Sequence, residues 1–151
     1  MHIRPSFLAL TLIMIASVPL AQAGSLHDVA DILESEGGWI GRTKDGQECL
    51  FHAKIEGGLF GRLVISLKNN KNRISDSIDS ADDLYNFKLD STKIHLHSID
   101  RDSYSNTGRQ FDIKLSNYLP ISVKAEFNET DRTNGESKNA VVDCLNLKRA
   151  N

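Results

Sequence analysis

Alternation of apolar and polar residues with a period of two recurs along most of the chain. Segments of this kind predict strands that bury one face and expose the other. The clearest example is 119–127, in which every second residue from Leu119 to Phe127 is apolar. Short, often glycine-containing turns separate many of them, so neighbours in sequence are expected to pair in antiparallel fashion. About eight such segments span 39–43, 48–56, 59–67, 84–89, 93–99, 109–115, 119–127 and 140–147.

An antiparallel meander of about eight strands either closes into a small barrel or splits into two packed sheets. Closure removes exposed strand edges, so we predict an all-β fold with a small closed barrel, and a two-sheet sandwich is the alternative. Before the first strand, apolar residues recur at helical spacing from Leu26 to Leu33, and Gly37-Gly38 follows. We therefore expect 24–38 to be a short helix that packs on the sheet, and 39–151 to be a single β domain.

Residues 1–23 have the three-part pattern of a secretory signal peptide. Arg4 gives the start positive character, an uncharged apolar run extends from Phe7 to Val18, and Ala21-Gln22-Ala23 precedes Gly24. The run is shorter than the roughly 20 residues that a transmembrane helix needs, so an N-terminal membrane anchor is the less favoured alternative. We predict cleavage between Ala23 and Gly24, which gives a periplasmic or secreted protein with no membrane span in the mature chain.

Cys49 and Cys144 are the only cysteines, and both lie in strand-like segments of the mature chain. An even count in an exported protein favours a disulfide bond. The bridge would close a loop of about 95 residues, a constraint on the unfolded chain that stabilises the fold by roughly 4–5 kcal/mol. A redox-active pair is the alternative, but the chain has no Cys-x-x-Cys motif.

The surroundings of the single tryptophan carry a resemblance to a known superfamily. A short helix, then Gly37-x-Trp39 on the first strand, then a β-meander resembles the pattern of the lipocalins and the wider calycins. The resemblance implies an eight-stranded barrel in which Trp39 closes one end and a basic residue near the last strand, Lys148 or Arg149, packs across it. The chain departs from lipocalins because no helix is evident after the last strand. The alternative is that Trp39 is a large core residue beside a helix.

His95 and His97 are two residues apart on a predicted strand, so both imidazoles point to one face and can share a metal ion. His52, on the polar face of its own strand, is a third candidate ligand. The simpler interpretation is that Ile94 and Leu96 are buried, which places both histidines on the solvent face. We therefore assign no metal and no cofactor, and keep a metal-dependent module or enzyme built on His52, His95 and His97 as an alternative.

The polar stretch 68–83 is expected to be a solvated acidic loop. A calcium-binding loop needs several oxygens at fixed spacing and usually a glycine at the turn, and this pattern is missing. Asn128-Glu129-Thr130 matches the N-glycosylation sequon, which matters only in a glycosylating host. The acidic residues of the stretch are Asp76, Asp79, Asp82 and Asp83.

The sequence offers little support for catalysis or for nucleic-acid binding. No serine lies in a Gly-x-Ser-x-Gly elbow, and both cysteines are expected to be oxidised, so we assign no catalytic residues. The formal net charge is −2, and no basic stripe is interleaved with aromatic residues. Nucleic acid is therefore not an expected partner, and we expect a monomer.

These observations predict an exported small β-barrel that binds an unknown ligand, either a small apolar molecule or a protein, for example a secreted enzyme that it inhibits. A carrier of apolar molecules needs an interior cavity. A protein binder has a packed interior and a projecting loop, for which 68–83 and 100–108 are the candidates. A structural component of the cell envelope is a further alternative.

Overall fold

The structure is a computed structural model, and it describes residues 26–57, 61–79 and 85–151. The predicted cleavage site between Ala23 and Gly24 lies outside these residues, as do Asp82 and Asp83. The described chain forms one helix and nine strands: α1 (Leu26–Leu33), β1 (Trp39–Arg42), β2 (Glu48–Glu56), β3 (Arg62–Lys68), β4 (Arg73–Asp79), β5 (Tyr85–Leu89), β6 (Lys93–Arg101), β7 (Ser105–Ser116), β8 (Leu119–Asp131) and β9 (Ser137–Arg149).

All nine strands belong to one antiparallel sheet with the order β4-β3-β2-β1-β9-β8-β7-β6-β5. The first and last strands pair with each other, Trp39 lying opposite Arg149 and Arg42 opposite Leu145. Within the described residues, β4 and β5 are the strands that pair on one side alone. The sheet is therefore curled into a nearly closed barrel, as the alternation predicted, and the two-sheet sandwich is not formed.

Each of the eight predicted strands is present, but the prediction for 68–83 was wrong. Residues 73–79 form a ninth strand, β4, which pairs with β3 along its whole length. The segment 69–72 remains as a tight turn, in which the side chain of Asn69 accepts hydrogen bonds from two backbone amides. Of the stretch that we expected to project, residues 73–79 are thus part of the barrel wall.

The interior of the barrel is filled by apolar side chains. They form one cluster with contributions from α1, from β1–β4 and from β6–β9, and Leu89 of β5 is partly buried against it. Phe51 and Phe111 are fully buried, and α1 adds Val29 and Leu33. The two largest grooves among those described, of about 320 and 410 Å³, lie on the outside of the barrel. Among the described residues, the interior is thus a packed core.

Trp39 connects α1 to the barrel. Its indole nitrogen donates a hydrogen bond of 2.7 Å to the carbonyl oxygen of Leu33, the last residue of the helix. The guanidinium carbon of Arg149 lies 5.3 Å from the centre of the indole ring. Of the two basic residues that the calycin resemblance implied, Arg149 packs across Trp39, whereas Lys148 is exposed and lies opposite Ile40.

Cys49 on β2 and Cys144 on β9 form the predicted disulfide bond. Since β1 lies between β2 and β9 in the sheet, the bond links the two neighbours of the first strand. An intramolecular disulfide is typical of proteins in oxidising compartments, such as the periplasm or the extracellular space. None of the helical residues described forms a segment long and apolar enough to cross a membrane.

Candidate functional site

The outer face of β6–β9 carries a groove centred on Gly108. Gly108 lies on β7, and a Cβ atom placed there would have no neighbour within 4 Å, so the missing side chain leaves a depression between the flanking strands. The groove measures about 320 Å³. Besides Gly108, it is lined by amides, by side chains of both charges, by an imidazole and by two apolar residues: His97, Arg109, Gln110, Glu126, Phe127, Asn128, Asn139 and Val141. We call this feature the Gly108 groove.

The strand register explains why these residues meet. His97, Gln110 and Glu126 are direct cross-strand partners on β6, β7 and β8, and Val141 continues the row on β9. Gly108, Asn128 and Asn139 form the next row on β7, β8 and β9, so both asparagines lie on the same side of the space left by Gly108. His97, Gln110, Glu126 and Val141 each have a buried neighbour along their strand, so the same period of two that fills the core builds a polar outer face.

His95 and His97 lie on one face of β6, as predicted, with ring centres 6.5 Å apart. His97 lines the Gly108 groove, whereas His95 is held by Asp112, whose Oδ1 is 2.8 Å from the imidazole Nδ1. His52 lies on β2, and four strands separate it from β6 in the sheet order. The structure therefore does not bring the three histidines together, and the described residues contain no group of three or more potential metal ligands.

Asp112 is the centre of a charged network beside the groove. Its carboxylate contacts the amide nitrogen of Gln110 at 2.6 Å and the ammonium group of Lys93 at 3.0 Å, as well as His95. Burial by itself raises the pKa of Asp112, but hydrogen bonds from His95, Gln110 and Lys93 outweigh it and hold the pKa at about 2. The network therefore fixes the orientation of Gln110, which also lines the groove.

The hairpin tips above the groove form a projecting rim. The predicted loop 100–108 is a turn at 102–104, since β6 and β7 extend into it from both sides. The turn after β8 is attached to it, because the backbone amide of Arg132 donates to the carbonyl oxygen of Tyr104 at 2.7 Å. Tyr104 is 72% exposed at this rim. The sequence predicted a loop at this place. It did not show that β6 and β7 extend into the loop, since the residues at these strand ends are polar.

Beside the groove, part of one edge of β9 has no strand partner among the described residues. Its residues from Ser137 to Asp143 pair with β8, and pairing with β1 begins at Leu145. Val141, on the outer face of this stretch, is 53% exposed. An extended segment of another protein can form backbone hydrogen bonds with an unpaired strand edge of this kind, and the exposed side chain of Val141 offers it an apolar contact.

A second polar cluster points into the barrel where β4 faces β6 and β7. Asp76, which we expected in a solvated loop, lies on β4 between the inward-facing Ile74 and Ile78, and its side chain is 10% exposed. It accepts a hydrogen bond from the hydroxyl of Ser98 and lies 4.0 Å from the guanidinium group of Arg109. The Ile-x-Asp-x-Ile spacing was the signal that could have identified this inward carboxylate.

Comparison with protein-family models, with curated proteins and with solved structures found no match to this chain. None of these comparisons therefore supports the resemblance to calycins that the sequence suggested. The functional argument below rests on the described residues.

Proposed function

We propose that this protein is an exported binding protein that recognises a protein partner through the outer face of β6–β9, with the Gly108 groove at its centre. The observation that carries the proposal is the division between a packed interior and a polar, indented exterior. The two largest described grooves lie on the outside of the barrel, so neither is an internal cavity that could hold a small apolar ligand. A protein surface, in contrast, can fill an outer groove without opening the barrel.

The chemistry of the face suits a protein rather than an apolar molecule. Gln110, Asn128 and Asn139 offer both donors and acceptors, and Val141 adds an exposed apolar contact. Tyr104 projects from the rim above, and tyrosine is enriched at protein interfaces because it combines apolar area with a hydroxyl group. The open edge of β9 supplies backbone hydrogen bonds to an extended segment of the partner.

Inhibition of a secreted enzyme is the form of binding that we favour. A rigid barrel stapled by a disulfide presents the groove and the rim with little loss of conformational freedom, which favours tight association. Assignment as a binding protein and not an enzyme is part of the proposal. The alternative of a metal-dependent module is weakened because four strands separate His52 from His95 and His97 in the sheet.

Site-specific photo-crosslinking in the native envelope tests this proposal. A benzoylphenylalanine at Asn139, in the groove, should give a crosslinked adduct with one protein, whereas the same group at Ser75, on the outer face of β4, should not. The partner identified by mass spectrometry is then purified and titrated calorimetrically. Gly108→Trp, which fills the groove from a position where a Cβ meets no atom, should weaken binding at least tenfold.

The matched control is Ser75→Trp, which adds the same side chain on a distant exposed surface and should leave the affinity within twofold. Two results contradict the proposal: equal affinities of the wild-type protein and Gly108→Trp for the crosslinked partner, or no adduct at Asn139. Saturable uptake of an apolar probe that does not compete with the partner would favour a carrier instead.

A further inference from the structure

The outer face of β2–β4 carries a second groove, separate from the Gly108 groove. It measures about 410 Å³ and lies between the residue row of Leu50 and that of Lys54. Three cations and one carboxylate line it, so its formal charge is positive although the whole chain has a net charge of −2. We call it the basic groove, and its polar side chains are Glu36, His52, Lys54, Ser66, Lys68 and Arg73.

Lys68 and Arg73 stand directly opposite each other on β3 and β4. Like charges at directly opposed positions of an antiparallel pair repel and destabilise the sheet. Among the ion pairs of the described residues, none joins Lys68 or Arg73 to a carboxylate, although Lys54 and Arg62 both share Glu56. The pair is therefore an uncompensated concentration of positive charge at one end of the groove.

The next row of the groove supplies uncharged hydrogen-bonding groups. His52 and Ser66 are cross-strand partners one step further along β2 and β3. The imidazole of His52 packs on Gly38, where a Cβ atom would lie 2.6 Å from its Cδ2, so the glycine determines how closely the ring approaches the backbone. Lys54 lies beyond, with its ammonium group 2.6 Å from Glu56.

We propose that the basic groove binds a phosphate group of a small ligand or lipid headgroup. The phosphate oxygens lie between Lys68 and Arg73, with the guanidinium fork of Arg73 providing two parallel donors. A phosphate monoester carries a charge between −1.5 and −2, about equal and opposite to that of the two cations. The space beyond them, toward His52 and Ser66, accommodates the rest of the phosphorylated molecule.

Calorimetric titration with sn-glycerol 3-phosphate tests the site in the mature, disulfide-bonded protein. We expect saturable binding that weakens at least tenfold in the double variant Lys68→Gln/Arg73→Gln. The control is Arg101→Gln/Lys114→Gln, which removes the same charge from β6 and β7 and should leave the affinity within twofold. Both pairs of side chains are exposed, so neither double variant removes a buried contact.

Vesicles distinguish the two sources of phosphate. Sedimentation with vesicles that contain phosphatidic acid, whose headgroup is a phosphate monoester, but not with pure phosphatidylcholine, assigns the groove to a lipid headgroup. Saturable binding of glycerol phosphate without vesicle binding assigns it to a soluble phosphate compound. If neither probe binds, or if both double variants lose binding equally, the proposal is wrong, because general charge and not the opposed pair would be responsible.

Thermal unfolding gives a second test, because a purely structural role of Lys68 and Arg73 would not make the melting temperature depend on glycerol phosphate. Removal of one cation by Arg73→Gln should leave the melting temperature of the free protein unchanged or raised, because the repulsion across the strands is relieved. The same variant should lose the increase in melting temperature that glycerol phosphate gives the wild-type protein. A lowered melting temperature with the ligand effect intact would overturn the assignment.

Discussion

Gly41 lies directly under the sulfur atom of Cys144. A Cβ atom at Gly41 would be 2.8 Å from that sulfur and 2.5 Å from the carbonyl oxygen of Leu145. Gly41 is also the cross-strand partner of Cys49. The disulfide can therefore join the two neighbours of β1 because β1 has no side chain at the crossing point.

The first prediction follows from this contact. Gly41→Ala should destabilise the oxidised protein by about 1–3 kcal/mol, because neither the backbone carbonyl nor the bridged sulfur can move away freely. Urea denaturation followed by tryptophan fluorescence measures the change. Gly108→Ala is the control, since its added methyl group meets no atom, and it should change the free energy of unfolding by less than about 0.5 kcal/mol. Equal effects at both positions would contradict the interpretation.

Asp112 makes stability depend on pH in the acid range. Its pKa in the folded protein, about 2, lies below the ordinary value of 3.8. The contribution of its carboxylate is therefore complete above about pH 4 and is lost as the pH falls through 2. Since 22% of the side chain is exposed, we expect a contribution of about 1–2 kcal/mol.

Asp112→Asn should lower the stability at pH 6 and flatten its decline between pH 4 and pH 2. Denaturant titrations across this range give the measurement. Glu136→Gln, in the exposed turn before β9, should retain the wild-type pH profile. A profile of Asp112→Asn that parallels the wild-type curve would show that the contacts with His95, Gln110 and Lys93 do not favour the ionised carboxylate.

Ser98 and Asp76 connect two strands that share no backbone pairing, β6 and β4. Ser98→Ala removes a hydrogen bond to a carboxylate that is 10% exposed, and should cost about 1.5–3 kcal/mol. Hydrogen exchange should quicken in β4 more than in β8. Ser75→Ala, an exposed neighbour on β4, is the control and should affect neither quantity. Unchanged exchange in β4 would argue against a role for this contact in holding the barrel together.

Arg149 covers the single tryptophan, so its contribution can be followed by fluorescence. Arg149→Gln should destabilise the fold by about 0.5–1 kcal/mol through loss of the cation–π contact. The emission of Trp39 should shift to longer wavelength as water reaches the indole ring. Arg149→Lys keeps the positive charge and should retain most of both properties. An emission spectrum that is unchanged in Arg149→Gln would show that the guanidinium does not shield the ring.

The barrel was predictable because its core strands alternate strongly, as in β2 and β8, where apolar residues at every second position leave one interpretation. β4 escaped detection because its middle inward position is Asp76, and the partners that make this carboxylate acceptable inside, Ser98 and Arg109, lie on distant strands. The spacing of Ile74 and Ile78 on either side of Asp76 was the signal in the sequence, but a polar residue at the middle position interrupts the apolar alternation. The true lengths of β7–β9 were missed for a related reason, since their outer ends carry polar residues on both faces.

The candidate sites were harder to predict than the fold. His95 and His97 were recognised as sharing a face, but the groove beside them depends on Gly108 and on the register of four strands. The basic groove depends on the opposition of Lys68 and Arg73, which requires β4 to exist as a strand. Neither site has a recognisable sequence motif, because its residues are brought together only by the pairing of the strands.

The pairing of Trp39 with Arg149 sets the order of events when the protein folds. The first strand gains its second neighbour only after β9 has been synthesised, so the barrel cannot close before that point. Contacts between residues so far apart in sequence make this closing step slow. Removal of the last strand would leave a meander that could not become a barrel, however well its other strands paired.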